Sequence, residues 1–188
     1  MRPTLVLFLL FIFFLPKCQE STALRKEKIE EVRNFVKDSK YSQEIAIFIN
    51  FRIPSGKFRF FIYDLKNNRV LDKGIVAHGS VSVIKNSKQL KFSNKEGSYQ
   101  SSLGKYEIGE SYFGSFGKSY RLKGLDSSNS LAVKRAIVLH SYNCIKDVES
   151  AQPACLSLGC PMLSLKFFKK TAGYIDSSKK PVILFAFY

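Results

Sequence analysis

Hydrophobic and polar positions along most of the chain follow the pattern of β-strands. Strongly β-prone runs occupy residues 44–50, 57–65 and 69–76, and turn residues at 53–56 and 67–68 separate them. This arrangement predicts a β-meander. Shorter strands are predicted at 106–108 and 119–122, a buried strand at 136–140, and a final apolar strand at 182–188.

Helical periodicity is restricted to a few segments. In residues 25–38, Ile29, Val32, Phe35 and Val36 recur at spacings of three and four, which predicts an amphipathic helix of about four turns. Residues 129–134 favour a short helical turn, and 163–168 fit either a helix or a strand. Residues 79–100 form a long Ser-, Lys- and Asn-rich excursion, which in a compact domain is more often functional than idle. The sequence therefore predicts a mainly β single domain over residues 25–188, with an N-terminal helix and short additional helices.

Residues 1–20 are predicted to be a secretory signal peptide. A charged start with Arg2 precedes an almost purely apolar run at 4–15, and Pro16 breaks that run. The run is shorter than the about 20 residues of a membrane span, although an uncleaved N-terminal anchor is the alternative. Cleavage before Cys18 would be of the lipoprotein type and would attach the protein to a membrane, but Lys17 fits such a site poorly. Cleavage near residues 21–23 competes with it. We expect an exported protein of the periplasm or cell envelope.

The charge of the chain is strongly unbalanced. Thirty Lys and Arg residues face 15 Asp and Glu residues, for a formal net charge of +15. In an exported protein this charge suits an anionic partner, such as a cell-wall polymer or lipid headgroups, although a diffusely basic surface explains it equally well. Export and the lack of a recognition helix or nucleic-acid motif argue against a nucleic-acid partner.

The candidate chemistry involves histidine and cysteine. The two histidines, His78 and His140, each follow an apolar β run, where a rigid scaffold meets loops. Cys160 follows Gly159, and the backbone N–H groups of both residues could form an oxyanion hole. His140 precedes Cys160 by 20 positions, so a loop could bring an imidazole to the thiol and activate it. A structural histidine and a disulfide at Cys160 are the competing interpretations.

The cysteine count bears on that competition. The chain has cysteines at 18, 144, 155 and 160, so loss or acylation of Cys18 leaves an odd number. A Cys144–Cys155 disulfide would stiffen the segment between His140 and Cys160 and leave the thiol free. The spacings match no common zinc signature and carboxylates are sparse nearby, so we predict neither a metal nor a cofactor.

These residues resemble a known family. His140, a loop and then Ser157-x-Gly159-Cys160 resemble the active-site motif of the YkuD-type L,D-transpeptidases, in which a histidine precedes Ser/Thr-His-Gly-Cys. The likeness extends over roughly residues 27–175 to the branch described as the murein L,D-transpeptidase catalytic domain. It is carried in order by residues 76–79, 92–94, 97–98, 101–104, 112–114, 122–126, 129 and 135–140.

The resemblance implies a β-sandwich-like catalytic domain and a set of roles. Cys160 would attack the carbonyl after the third residue of a donor stem peptide and release the terminal D-amino acid. His140 would be the general base, and the carbonyl of Ser141 would orient its imidazole. Gly159 and Cys160 would hold the oxyanion, and an acceptor amine or water would resolve the thioester.

The resemblance also implies a substrate cleft lined by His78, Gly79, Ser157 and Leu158. Three residues depart from the family pattern. Leu158 stands where many members have histidine, Leu156 where a basic residue is frequent, and Pro161 where an aliphatic residue is usual. The departures concern substrate contacts and leave the thiol, the base and the glycine in place.

Three functions remain open from the sequence. The first is a peptidoglycan L,D-transpeptidase that acts on stem peptides. The second is an L,D-carboxypeptidase that trims them, and the third is a non-catalytic, basic wall-binding envelope protein on the same scaffold. A monomer is expected in each case.

Overall fold

The computed structural model describes residues 24–188 of the chain. The predicted signal peptide and Cys18 lie outside these residues. The described elements, in chain order, are helix α1 (Lys26–Val36), strands β1 (Ile45–Asn50), β2 (Phe60–Asp64) and β3 (Arg69–Gly74), a 3₁₀ turn (Ser80–Ser82), strands β4 (Gly104–Gly114), β5 (Gly117–Gly124), β6 (Val138–Ser141) and β7 (Met162–Leu163), helix α2 (Leu165–Ser177) and strand β8 (Ile183–Phe187).

The described strands form a single mixed sheet of eight strands in the order β3-β2-β1-β8-β4-β5-β6-β7. The meander β1–β2–β3 is antiparallel, whereas β8 inserts parallel to β1 and antiparallel to β4. The segment after β3 returns to the opposite edge, where the Ala77 N–H donates to the Met162 carbonyl at 3.0 Å. The sheet is therefore nearly closed, and the sandwich-like core arises from one curled sheet.

Alternation along β1 divides the core between the two faces of the sheet. Ile47 and Ile49 lie in the larger cluster, with β4, β5, β6 and α2, whereas Ala46 and Phe48 lie in a second cluster covered by α1. All four side chains are at most 1% exposed. Burying side chains of this kind stabilises a fold by about 1.5–3 kcal/mol for each large one, so the period-two pattern fixes the register of β1.

Local signals determine where the second helix begins. The Ser164 hydroxyl accepts a hydrogen bond from the Phe167 N–H at 3.0 Å, which caps the first turn of α2. The side chains of Phe167 and Phe168 then pack into the larger cluster. The segment at 163–168, which the sequence left open between helix and strand, ends β7 and starts this 13-residue helix.

The structure confirms the mainly β class and the N-terminal helix. It lengthens the strands predicted around 106 and 119 into an antiparallel hairpin, β4–β5. Residues 129–134 form consecutive hydrogen-bonded turns, and the Arg135 N–H donates to the Leu131 carbonyl at 2.8 Å with helical spacing. Neither helix within residues 24–188 has the length and apolarity needed to cross a bilayer.

Candidate active site

Residues 157–162, the cysteine turn, are hydrogen-bonded on both sides of Cys160. Before it, the Ser157 N–H donates to the His78 carbonyl at 2.9 Å. After it, Met162 pairs with His140 in the parallel β6–β7 ladder. The turn is thus held between the segment that follows β3 and the strand that carries His140.

Gly159 allows the sharp bend of this turn. Its φ of +119° lies in the region that favours glycine, and a Cβ there would meet the Gln100 carbonyl oxygen at 2.9 Å. The Gly159 N–H donates to the Ser157 hydroxyl at 3.0 Å. The glycine half of the predicted oxyanion hole is therefore bonded to Ser157 in this structure.

Cys160 carries a free, half-buried thiol. Its Sγ accepts a hydrogen bond from the Val138 N–H at 3.4 Å and lies 3.7 Å from the Ala136 carbonyl oxygen. Burial raises the pKa of this thiol, and the Val138 N–H and the nearby Arg135 charge oppose that rise only in part. The resting group is therefore the thiol.

His140 is buried and held by two contacts. Its Nδ1 lies 3.0 Å from the Ser141 carbonyl oxygen, which can only accept, so the proton is on Nδ1 and Nε2 keeps its lone pair. The Phe116 ring stacks on the imidazole with centroids 4.1 Å apart. Burial lowers the pKa of His140, and the hydrogen bond to Ser141 offsets this only in part. The imidazole is neutral at neutral pH.

His140 and Cys160 line the same surface cavity, which has a volume of about 450 Å³. Its wall is mainly apolar, and Arg135 supplies the one formal charge among the lining residues. Ser157 and Leu158, which the resemblance places in the substrate cleft, also line it. The remaining lining residues are Gly97, Tyr99, Phe116, Ala136, Tyr142, Leu156 and Met162.

His78 and Gly79, which the resemblance places in the substrate cleft, are not among the residues that line this cavity. His78 is 5% exposed, with Nδ1 at 2.8 Å from Nη2 of the buried Arg59. Gly79 forms a parallel bridge with Ser157, and a Cβ there would come within 2.3 Å of the Tyr99 carbonyl oxygen. The apolar residues before His78 are buried in the core, and the imidazole of His78 is buried with them.

Phe116 and Arg135 are two of the cavity residues to which the sequence analysis assigned no role. Phe116 lies in the β4–β5 turn, 24 positions before the imidazole that it covers. Arg135 donates to the Ser93 carbonyl at 2.7 Å and to the Ser98 and Ser102 hydroxyls at 3.3 and 3.1 Å. It thus fixes the excursion at 79–100, which supplies Gly97 and Tyr99 to the cavity wall. An arginine directly before a buried strand was the available signal.

The disulfide that the sequence analysis considered between Cys144 and Cys155 is present. Cys144 and Cys155 form a disulfide with a Cα–Cα distance of 6.1 Å, and Cys160 stays free. The bond closes the loop that joins His140 to the cysteine turn. In residues 24–188, no group of three or more His, Cys, Asp or Glu side chains is placed to hold a metal ion.

Replacing both Cys144 and Cys155 by serine is expected to lower the free energy of unfolding by about 2–4 kcal/mol, because the cross-link limits the unfolded chain. Urea unfolding followed by circular dichroism measures the loss. Wild-type protein under reducing conditions should reproduce it, and Cys160→Ala should not. An unchanged midpoint in the double variant would contradict the expectation.

The family model for the L,D-transpeptidase catalytic domain, YkuD_2, matches residues 17–187. This chain belongs to that family. L,D-transpeptidases of this kind act on peptidoglycan stem peptides and are generally found in the cell envelope or periplasm.

Solved structures similar to this L,D-transpeptidase domain share little sequence with it. The helical cell shape determining protein Pgp2 from Campylobacter jejuni is 16% identical, with a TM-score of 0.47 over 76% of this chain and 46% of that chain. An L,D-transpeptidase from Mycobacterium tuberculosis H37Rv is 12% identical, with a TM-score of 0.40 over 77% and 58%. Bd1075 from Bdellovibrio bacteriovorus is 12% identical, with a TM-score of 0.47 over 77% and 48%.

The chain spans about half the length of these structures. No curated protein is significantly similar to it.

Proposed function

We propose that this family member is an exported peptidoglycan L,D-transpeptidase in which Cys160 is the nucleophile and His140 the general base. The observation that carries the proposal is that the only free thiol of residues 24–188 and a neutral imidazole line one cavity. The Ser141 carbonyl holds Nδ1 and leaves Nε2 as the basic nitrogen. Signal peptide 1–20 would direct the protein to the envelope, and Cys18 would anchor it there if lipidated.

In the first half-reaction, Sγ of Cys160 forms a bond to the carbonyl carbon of the donor stem peptide while its proton passes to Nε2 of His140. The tetrahedral intermediate then collapses. The C–N bond to the terminal D-amino acid breaks, and His140 returns the proton to the departing amine. A thioester between Cys160 and the shortened stem remains.

The Cys160 N–H and the Gly159 N–H are the proposed donors to the oxyanion. The Gly159 N–H would have to exchange its bond to the Ser157 hydroxyl for one to the developing negative charge. A bond to an anionic oxygen is about twice as strong as one to a neutral hydroxyl, so this exchange favours the intermediate over the resting state.

In the second half-reaction, an acceptor amine attacks the thioester, His140 takes its proton, and the thiol of Cys160 is released. The product is a new amide cross-link. If water attacks instead, the product is a tripeptide stem and the enzyme is an L,D-carboxypeptidase. Cys160 and His140 have the same roles in transpeptidation and in hydrolysis. The two reactions differ only in whether an amine or water attacks the thioester.

The proposal predicts an unusual pH profile. Burial lowers the pKa of His140 from its ordinary 6.5 and raises that of Cys160 from its ordinary 9.0. The active pair is therefore a neutral imidazole with a neutral thiol. Activity should rise with pH through a pKa below 6.5, as His140 loses its proton, and should then stay level until above pH 9.0.

Two measurements check this profile, namely kcat/KM against pH and the rate at which iodoacetamide alkylates Cys160. The alkylation rate should keep increasing through pH 9.0, because the thiolate fraction grows with pH until the pH passes the raised pKa of Cys160. A thiolate already complete at neutral pH would contradict the neutral pair.

The proposed function is tested by incubating the full chain with muropeptides that carry tetrapeptide stems. Mass spectrometry should detect the acyl-enzyme on intact protein and then cross-linked dimers. Tripeptide without dimers would assign the carboxypeptidase. Protein alkylated beforehand with iodoacetamide is the control and should give neither product. Equal inactivity of untreated protein, together with salt-sensitive binding to peptidoglycan, would favour the non-catalytic wall-binding function.

A further inference from the structure

Arg59 is a buried cation whose hydrogen-bond acceptors in the described chain are all uncharged. Its side chain is 1% exposed. The Nε and Nη2 groups donate to the Val76 carbonyl at 3.0 and 2.8 Å, and Nη1 donates to the Ile53 carbonyl at 3.2 Å. The guanidinium also lies 5.0 Å above the Phe51 ring. Burying a charge without a counter-ion is costly, so stability alone does not account for an arginine here.

His78 completes the coordination of this cation. Its Nδ1 lies 2.8 Å from Nη2 of Arg59. Burial lowers the pKa of Arg59 to about 9, and burial with the Arg59 charge lowers the pKa of His78 to about 4. At neutral pH the guanidinium is charged and the imidazole is neutral. Nδ1 therefore accepts, and the proton of the ring is on Nε2.

Nε2 of His78 is buried and has no hydrogen-bond partner within residues 24–188. A buried donor without a partner destabilises a fold. The imidazole thus leaves one ring nitrogen unsatisfied while it places the other against Arg59. This geometry favours a role that depends on the Arg59 contact.

Arg59 and His78 hold the backbone of residues 76–80, and this segment supports the cysteine turn. Arg59 donates hydrogen bonds to the Val76 carbonyl. The N–H of the next residue, Ala77, donates to the Met162 carbonyl at 3.0 Å. The His78 carbonyl accepts from the Ser157 N–H at 2.9 Å, and the Ser80 N–H donates to the Ser157 carbonyl at 2.7 Å. Residues 76–80 therefore bond to the cysteine turn on both sides of Cys160.

We propose that Arg59 and His78 are positioning residues, which fix residues 76–80 as the support that sets the position of the Cys160 thiol. The effect passes through backbone hydrogen bonds, since neither side chain lines the cavity. Its consequence for catalysis rests on the proposed function, whereas its consequence for the cysteine turn does not.

The central test compares His78→Leu with His78→Asn. Asparagine can present its side-chain oxygen near the position of Nδ1 and keep the acceptor for Arg59, whereas leucine cannot. His78→Leu should lower kcat on tetrapeptide stems by about 10- to 100-fold and change KM by less than about threefold, because the thiol is displaced without loss of the cavity. His78→Asn should recover most of kcat.

A second readout follows the turn directly. Amide hydrogen exchange at Ser157, measured by NMR, should be about tenfold faster in His78→Leu and near the wild-type rate in His78→Asn. Val32→Ala, in the separate cluster under α1, is the control for general loss of stability. It should lower the melting temperature and leave both kcat and Ser157 exchange unchanged.

Arg59→Lys provides the test if His78→Leu does not fold. An ammonium group keeps the charge but cannot reproduce the planar fork that reaches both Val76 and His78. Faster Ser157 exchange in Arg59→Lys is therefore expected. Equal losses in His78→Asn and His78→Leu, wild-type exchange in all folded variants, or the same losses in Val32→Ala would overturn the inference. Absence of turnover in wild type would instead contradict the proposed function, and Ser157 exchange would still decide the positioning role.

Discussion

Cys160→Ala is expected to abolish turnover of stem peptides, with kcat reduced by about 10⁴-fold or more, because Cys160 is the only free thiol among residues 24–188 that can form the thioester. Intact-protein mass spectrometry should show no acyl adduct on the variant after incubation with tetrapeptide stems. The fold should be retained, because the thiol is half-buried and its contacts with Val138 and Ala136 are weak. The melting temperature of the variant checks this directly.

Cys160→Ser is the matched variant for this experiment. Serine keeps the size of the side chain and a proton for His140, but its hydroxyl is a far weaker nucleophile than a thiol. Turnover should be nearly as low as in Cys160→Ala. An acyl adduct that persists in Cys160→Ala would assign the nucleophile to another residue and remove the basis of the proposed mechanism.

His140→Asn is expected to lower kcat by about 10²- to 10⁴-fold, which is the contribution typical of a general base. The asparagine amide can place its nitrogen near the position of Nδ1 and keep the hydrogen bond to the Ser141 carbonyl, while the basic Nε2 is lost. Steady-state assays with the tetrapeptide stem measure the effect. KM should change little, because the side chain is 2% exposed and offers little binding surface.

The thiol of the His140→Asn variant provides an internal control. Above its raised pKa, Cys160 needs no base, so alkylation of the variant at strongly alkaline pH should match that of wild type. A variant that alkylates normally but turns over slowly has lost proton transfer alone. If kcat were unchanged, Nε2 of His140 would have no part in the reaction.

The sequence predicted the local features of the fold well. The meander β1–β3 and helix α1 follow from short-range periodicity, which burial on the two faces of the sheet enforces. The insertion of β8 between β1 and β4 was not predicted, since its parallel partner lies more than 130 residues earlier. Pairing across such a separation depends on the packing of the whole sheet and leaves no local pattern.

In the candidate site, too, local sequence patterns were predictable and features set by tertiary packing were not. A short motif singled out Cys160 and His140, and the structure places both in the wall of one cavity. Such a motif can be recognised because nucleophilic chemistry restricts residue type and spacing. His78 shared its local context with His140, yet one imidazole faces Arg59 and the other faces the cavity. Tertiary packing decides which way the side chain at the end of a strand points. The stacking of Phe116 on His140 also depends on tertiary packing.

The position of β8 also bears on how the domain avoids aggregation. This strand comes last in the domain, yet it joins β1 to β4 and so connects the two halves of the sheet. Until β8 has paired, the facing edges of β1 and β4 both lack their partner strand. Unpaired strand edges can pair with other chains, so completion of the sheet by β8 also protects the domain from aggregation.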